Sequence, residues 1–468
     1  MKGQYAVDRT FVSLLVTFIK LGFFLGQSKP LLVSIRAVSS RGASIQQRSF
    51  SLGEDPSLAF LLRPSTCTRK NSMVAKMRLM SKELVEAVRF ICTVDFWMMA
   101  VFWTFSLLAS YLQFFSHGLF GRIVSFPRKA DAEVPVRPLC IITGATSGLG
   151  ATAAYALSKE GFTVVLVGRS AHRLSKRVAE ICKHNKDAHL KAFQVDISSI
   201  QSILQFRCSL EQWLLESHMH ASVQLLINNA GILATSCRIT AEGFDEMMAT
   251  NYMGAFFLTK HLLPLLRNSP VPSRIVNVTS FTHRSIYSTK FDKESVIGKS
   301  SFRMKQYPCA RIYAYSKLCL LLFSYELHRR LHSESSSHVS VVAVDPGVVK
   351  TSIMREVPPY LSHTAFAVLT AMGLLDSPEG AVHSILDAAL APPEISGVYF
   401  FGGKGRTINS SSLSYDAKLA RELWATSCDL FLEAQLSAKA FQARYKDEHL
   451  REQVFLQSVP VRVESSNF

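Results

Sequence analysis

Charged side chains are scarce in this chain of 468 residues: Asp, Glu, Lys and Arg make up 19%, against 48% hydrophobic. That balance excludes an intrinsically disordered protein, and the length allows a sizeable buried core. On a prior of roughly 150 residues per domain there is room for about three domains, although one large α/β domain with appendages also fits. Cysteines number nine, scattered and without a CxxC pair, so neither a secreted disulfide framework nor a zinc ribbon is indicated, no metal site is expected, and a reducing compartment is the default. A dense basic run is also missing. Of the net charge of +17, much sits in residues 1–76, with eleven Lys or Arg against three acids; residues 77–138 hold seven against five, and the remainder 34 against 27. A basic excess spread this thinly gives no nucleic-acid partner.

What is present begins with a leader, residues 1–76. Its apolar start, FVSLLVTFI, leads into the Arg- and Ser-bearing, acid-poor run VSIRAVSSRGASIQQRSF. This fits an organelle-targeting presequence, and it equally fits an upstream extension, since Met73, Met77 and Met80 can each begin a shorter chain. An anchor region, 77–136, follows. Within it Phe96 to Ser116 are 21 consecutive residues without a formal charge. At about 1.5 Å per residue they span roughly 31 Å, the thickness of a bilayer's hydrocarbon core. The expectation is a single-pass transmembrane helix, with Trp97, Trp103 and Tyr111 suited to the interface; a buried soluble helix is the alternative. Cationic residues balance on its two sides, so sidedness stays open, as does the choice between endoplasmic reticulum and plastid envelope. Pro127, Pro135 and Pro138 mark a linker.

From residue 137 to 432 the pattern changes. Short apolar runs, PLCIIT, FTVVLVG, LKAFQVD, VQLLINNAG, SRIVNVTS and VSVVAVDPG, alternate with helix-length segments. Such alternation predicts an α/β, doubly wound parallel sheet covered on both faces. Residues 433–468 are charged and polar and read as a tail.

The first strand runs into Thr143-Gly144-Ala145-Thr146-Ser147-Gly148-Leu149-Gly150 before a helix. Glycines there allow a tight turn and a close backbone approach to a pyrophosphate at a helix N-terminus. The second strand ends at Arg169 with no acid beside it; a carboxylate there would suit NAD, whereas an arginine accommodates the 2′-phosphate of NADP(H), with Arg173 in support. Asp196, ending the third strand, either caps an adenine or starts the next helix.

Tyr313 and Lys317, four apart, share one helical face, where an ammonium should favour phenolate and lower the tyrosine pKa from about 10. Tyr315 points to a different face. Ser280, at a strand end, is placed to hydrogen-bond a reacting oxygen, whereas Thr279 faces the opposite side.

TGATSGLG, Asn228-Asn229-Ala230-Gly231, Asn251 in TNYMG, Ser280 in VNVTS, Tyr313-x-x-x-Lys317 and Asp345-Pro346-Gly347 with Thr351 occur in one order. Together they resemble the short-chain dehydrogenase/reductase superfamily, in particular its retinol dehydrogenases, over about 290 residues. NVTSFTHRS, the QYPCARIYAYSK stretch and APPEISGVYFFGG resemble plant oxidoreductases of the FOREVER YOUNG type, a family linked to shoot development. The resemblance implies a catalytic set of Ser280, Tyr313, Lys317 and Asn251, the last holding a water that links Lys317 to solvent. It implies a nicotinamide cofactor held by Thr143, Gly144, Ser147, Gly148, Leu149, Gly150, Arg169, Asp196, Asn228, Ala230, Gly231, Tyr313, Lys317, Pro346, Gly347 and Thr351.

Between Ser280 and Tyr313 lies an insert longer than compact members carry, with six Lys or Arg against Asp292 and Glu294. A flap over substrate, a membrane-surface element and a solvated loop all fit it. Val348 to Leu375 is rich in apolar residues and suits a hydrophobic ligand. The sequence therefore reads as a membrane-anchored, NADP(H)-dependent oxidoreductase for a lipophilic alcohol, aldehyde or ketone, with lipid as neighbour and an oligomer open. The rival is a nucleotide-binding regulatory protein with little turnover, acting through a partner.

Overall fold

In the computed structural model, which describes Met80 and residues 82–119, 125, 126, 128, 137–334 and 338–458, the alternating pattern forms one seven-stranded sheet. Its strands are β1 (Leu139–Thr143), β2 (Thr163–Gly168), β3 (His189–Gln194), β4 (Leu225–Asn228), β5 (Ser273–Val278), β6 (Val339–Asp345) and β7 (Tyr399–Phe401). All pairings are parallel and the order is β3-β2-β1-β4-β5-β6-β7. Strands β1, β2, β4, β5, β6 and β7 are buried at every position, which is why they read as unbroken apolar runs rather than alternations. Order reverses between β1 and β4, opening a crevice at the carboxyl ends of the strands where a ligand site belongs. The leader, 1–76, and prolines 127 and 135 of the linker lie outside the described residues.

Two compact units divide after Cys92. Of the first, Met80 and residues 82–91 are helical. The second begins with the apolar helix α1, residues 94–119, opened by the Thr93 side chain, which accepts from Phe96 N at 3.2 Å. It is longer by a few residues than the expected 96–116, and Val94–Ser116 is apolar and long enough to cross a membrane. A π-turn, Met98–Trp103, interrupts it. One face is laid along the sheet domain: Leu107 and Ser110 are buried, and Tyr111 and Phe114 pack on the cluster of Tyr399 and Phe401. Val94, Trp97, Phe105, Leu112 and Phe115 are exposed.

The longer helices of the domain are α2 (Gly148–Lys159), α3 (Ala171–His184), α4 (Ile200–Glu216), α5 (residues 246–267), α6 (Cys309–His332), α7 (Pro359–Ala371), α8 (Pro378–Ala389) and α9 (Ala417–Ser458). Helix α9 overruns the expected boundary at 433. Ala434 and Ala438 are buried, Glu433 pairs with Lys293 at 2.6 Å, and Gln435 meets His261, so this stretch of the expected tail is part of the domain.

Candidate active site

The turn after β1 needs its glycines for close packing. Gly144 has φ of +67°, and a Cβ there would lie 3.0 Å from Ala230 Cα; a Cβ on Gly150 would collide with Gly144 O and the Asn229 side chain. Thr143 ties this turn to the segment after β4, its hydroxyl accepting from Asn229 N and Ala230 N, both at 3.0 Å. Its role is to position the two loops against each other. Ser147 stands at the N-cap of α2 without a side-chain cap bond, which leaves the first amides of that helix for an anion. Gly148 faces Thr351 across the crevice, with 3.2 Å between its ideal Cβ and Thr351 Cγ2.

Two residues assigned to a cofactor from sequence are otherwise engaged. Asn228 turns into the core, its Nδ2 donating to Asn277 Oδ1 at 2.8 Å and Thr259 Oγ1 at 3.0 Å, because β4 is central and its last side chain faces α5. Asp196 Oδ1 accepts from Ser198 N and Ser198 Oγ at 2.9 and 2.6 Å in a local turn, while Ser199 and not Asp196 caps the helix that follows. No acid accompanies Arg169 along the strand, but one reaches it from elsewhere in the fold. Tertiary folding brings Glu246 from the start of α5, its Oε1 3.1 Å from Arg169 Nη1. The other oxygen of Glu246 meets Arg238, which grips Glu356 at 3.0 and 2.9 Å.

At the far end of the crevice Ser280, Tyr313 and Lys317 converge. Lys317 Nζ donates to Val278 O at 3.0 Å and lies 5.7 Å from the centre of the Tyr313 ring. The Tyr313 hydroxyl faces Ser280 closely enough for the serine to oppose the rise of its pKa. Asn251, in a π-turn (Ala249–Met253) within α5, accepts from Ile232 N at 2.8 Å and donates to Ile232 O and Ser316 Oγ. An ideal Cβ on Gly231 would lie 3.5 Å from both Asn251 Oδ1 and Lys317 Nζ, an ordinary contact, so the loop of Gly231 runs directly beside both side chains. Tyr315 donates to Lys290 O and stacks on Phe291, away from this group. Thr279 donates to Lys317 O.

Burial governs the electrostatics here. It pushes the Tyr313 phenol well above 10, with Asp345 adding and the Ser280 hydrogen bond opposing, so the lowering expected from Lys317 is overridden by desolvation. The same burial brings Lys317 down to about 8, with Asp345 pulling the other way. Asp345 itself is buried, accepting from Tyr399 Oη at 2.8 Å and Gly347 N at 2.9 Å.

Several functional neighbours carry no motif. His283 Nδ1 lies 2.6 Å from Ser280 O while its Nε2 accepts from Ser411 N, which fixes a neutral ring protonated at Nδ1. Arg284 donates to Ser110 Oγ on α1 at 2.9 Å. Trp103, also on α1, rests against Tyr313 with ring centroids 5.5 Å apart. A cavity of about 110 Å³ lies between Tyr111 and Phe114 of α1, Pro346-Gly347 and Phe401. The only sequence hint of His283 was its place three residues after Ser280. The insert is not a loose loop: Phe281, His283, Phe291, Val296 and Tyr307 are buried, and Tyr307 donates to Asp245 Oδ2 at 2.8 Å.

The family model described as short chain dehydrogenase matches residues 139–289. Human polyprenol dehydrogenase is 33% identical over 304 residues, 63% of this chain and 86% of that protein. The chain belongs to the short-chain dehydrogenase/reductase family. Human retinol dehydrogenase 13 is 31% identical, covering 64% of this chain and 86% of its own length. The short-chain dehydrogenase TIC 32 A, chloroplastic, of Brassica napus is 31% identical, with 62% and 87% covered. As in any oxidoreductase of the family, a nicotinamide cofactor is implied, and the uncapped first turn of α2 beside glycine-lined loops fits its pyrophosphate.

Proposed function

We propose that this short-chain dehydrogenase/reductase uses NADP(H) to interconvert a lipophilic alcohol with its aldehyde or ketone, and that it is attached to a membrane through α1. The observation that carries the reading is the convergence of Ser280, Tyr313 and Lys317 at the end of the cofactor crevice. When bound, the nicotinamide supplies or accepts the hydride. Ser280 orients the substrate oxygen, and Tyr313 gives that oxygen its proton in reduction or removes it in oxidation. Lys317 places positive charge beneath the Tyr313 ring and steadies developing phenolate. Asn251 holds the loop of Gly231 against α6 so that these groups keep their spacing.

Arg169 supports the choice of NADP(H), and the indole of Trp103 on α1, resting against Tyr313, supports a lipophilic substrate. The outward face of α1, bearing Val94, Trp97, Phe105, Leu112 and Phe115, supports contact with lipid. Crossing the bilayer would require α1 to leave the domain, since it touches it from Asp95 to Phe114. The decisive test follows nicotinamide absorbance over a panel of lipid alcohols, aldehydes and ketones with both cofactors. Turnover with NADPH is expected; cofactor binding without turnover across the panel would favour the regulatory reading. Attachment is tested by alkaline carbonate washing, where the full-length protein should stay in the membrane pellet and its recovery in the supernatant would remove the membrane from the proposal.

A further inference from the structure

Helix α1 does more than lie on the domain, because its two ends are fastened to the catalytic apparatus. At one end Asp95 Oδ1 accepts from Ala310 N at 2.9 Å. Pro308, the residue at the N-cap of α6, supplies no cap of its own, so the helix that carries Tyr313 and Lys317 is capped by a residue of α1. At the other end Arg284, four residues after Ser280, donates to Ser110 and to Asn409 O, while Tyr111 and Phe114 pack on Phe401 at the sheet's edge strand. Between these fastenings the indole of Trp103 lies on Tyr313, tilted by 47°. Its Nε1 is buried and has no hydrogen-bond partner among the described residues.

A reacting oxygen must come within hydrogen-bond distance of Tyr313 Oη and Ser280 Oγ, roughly 2.6–3.2 Å. The carbons attached to that oxygen then lie near the Tyr313 ring, against which the indole of Trp103 rests. The indole must touch the substrate or be displaced by it, and its size matters in either case. A buried N–H left unpaired is unfavourable until something accepts from it, and an acceptor on the ligand would meet that need.

We propose that Trp103 is a substrate-contacting, specificity-determining residue, so that α1 forms the roof of the active site. The proposal rests on the reading of the site as a dehydrogenase for lipophilic carbonyl compounds, and it adds the residue that selects among them.

The test compares the full chain with Trp103→Ala and Trp103→Phe, using NADPH with all-trans-retinal and with hexanal, and measuring retinol binding by its fluorescence. Removing the ring opens space for the bulky aldehyde and strips packing from the small one. The kcat/KM ratio of retinal over hexanal should therefore rise at least tenfold in Trp103→Ala, while the NADPH dissociation constant stays within twofold. A ratio unchanged within twofold, with NADPH binding intact, overturns the proposal. Should Trp103→Ala fail to bind NADPH, Trp103→Phe decides: a threefold change in the ratio supports the contact and an unchanged ratio overturns it. If the wild type binds retinol but reduces neither aldehyde, the oxidoreductase reading fails alone, and Trp103 is judged by retinol affinity, where a tenfold change in Trp103→Ala supports it and equality overturns it. A wild type that neither binds retinol nor reduces either aldehyde overturns both.

Discussion

The guanidinium of Arg169 lies 3.1 Å from the carboxylate of Glu246, although the two residues belong to different elements on either side of the crevice. This pair changes what Arg169 does before a cofactor arrives, because a 2′-phosphate must share or displace Glu246. With Arg169 about half exposed, the pair is worth no more than about 0.2–1 kcal/mol. Glu246→Gln should therefore tighten NADPH by a few-fold and leave NADH nearly unchanged. Arg169→Ala should remove about 1–3 kcal/mol of the preference for NADPH, the scale of a charged hydrogen bond. Fluorescence titration of both cofactors checks this; a wild type preferring NADH would refute the assignment of Arg169.

Tyr313→Phe should leave NADPH binding near normal, because the ring still packs under Trp103, while turnover falls by at least about 10²-fold, the contribution of a positioned proton donor. Lys317→Ala should impair both binding and turnover. Retention of most activity in Tyr313→Phe would move the proton donor elsewhere.

His283 links stability to pH. Burial first, and Arg284 second, bring its pKa down to about 3 from about 6.5, so the folded state holds the ring neutral where the unfolded chain would protonate it. The unfolded state then binds more protons below 6.5, and stability present above that value is lost as pH falls toward 3. His261, lowered to about 4 by burial and Arg207, acts in the same direction. Thermal denaturation from pH 7.5 to 4.5 should show a steeper loss in wild type than in His283→Asn; parallel curves would count against this account.

Asp95 offers a check on the joint between α1 and α6. Asp95→Ala removes the acceptor for Ala310 N and should cost about 0.5–2 kcal/mol, the usual worth of a helix cap. Chemical denaturation would show it as a lower midpoint with little change in slope, and no change in midpoint would mean that water replaces the cap.

What the sequence determined by itself was local. Unbroken apolar runs specified strands buried on both faces, the glycine turn after β1 specified a backbone geometry, and four-residue spacing put Tyr313 and Lys317 on one side of a helix. Each of these follows from the period of an element or from one residue's allowed backbone angles. Tertiary structure alone decided the rest. It turned Asn228 inward to Asn277, brought Glu246 to Arg169, set His283 under Ser280 and buried Tyr313 so deeply that desolvation outweighs the neighbouring ammonium. It also settled where one face of the apolar segment goes. An uncharged run of 21 residues is equally content against lipid or against Phe401 and Tyr313, since both surroundings are apolar, and composition cannot distinguish them. The folded domain, with Ala310 N and Arg284 meeting Asp95 and Ser110, decides which face of the segment packs on it and which is left outward.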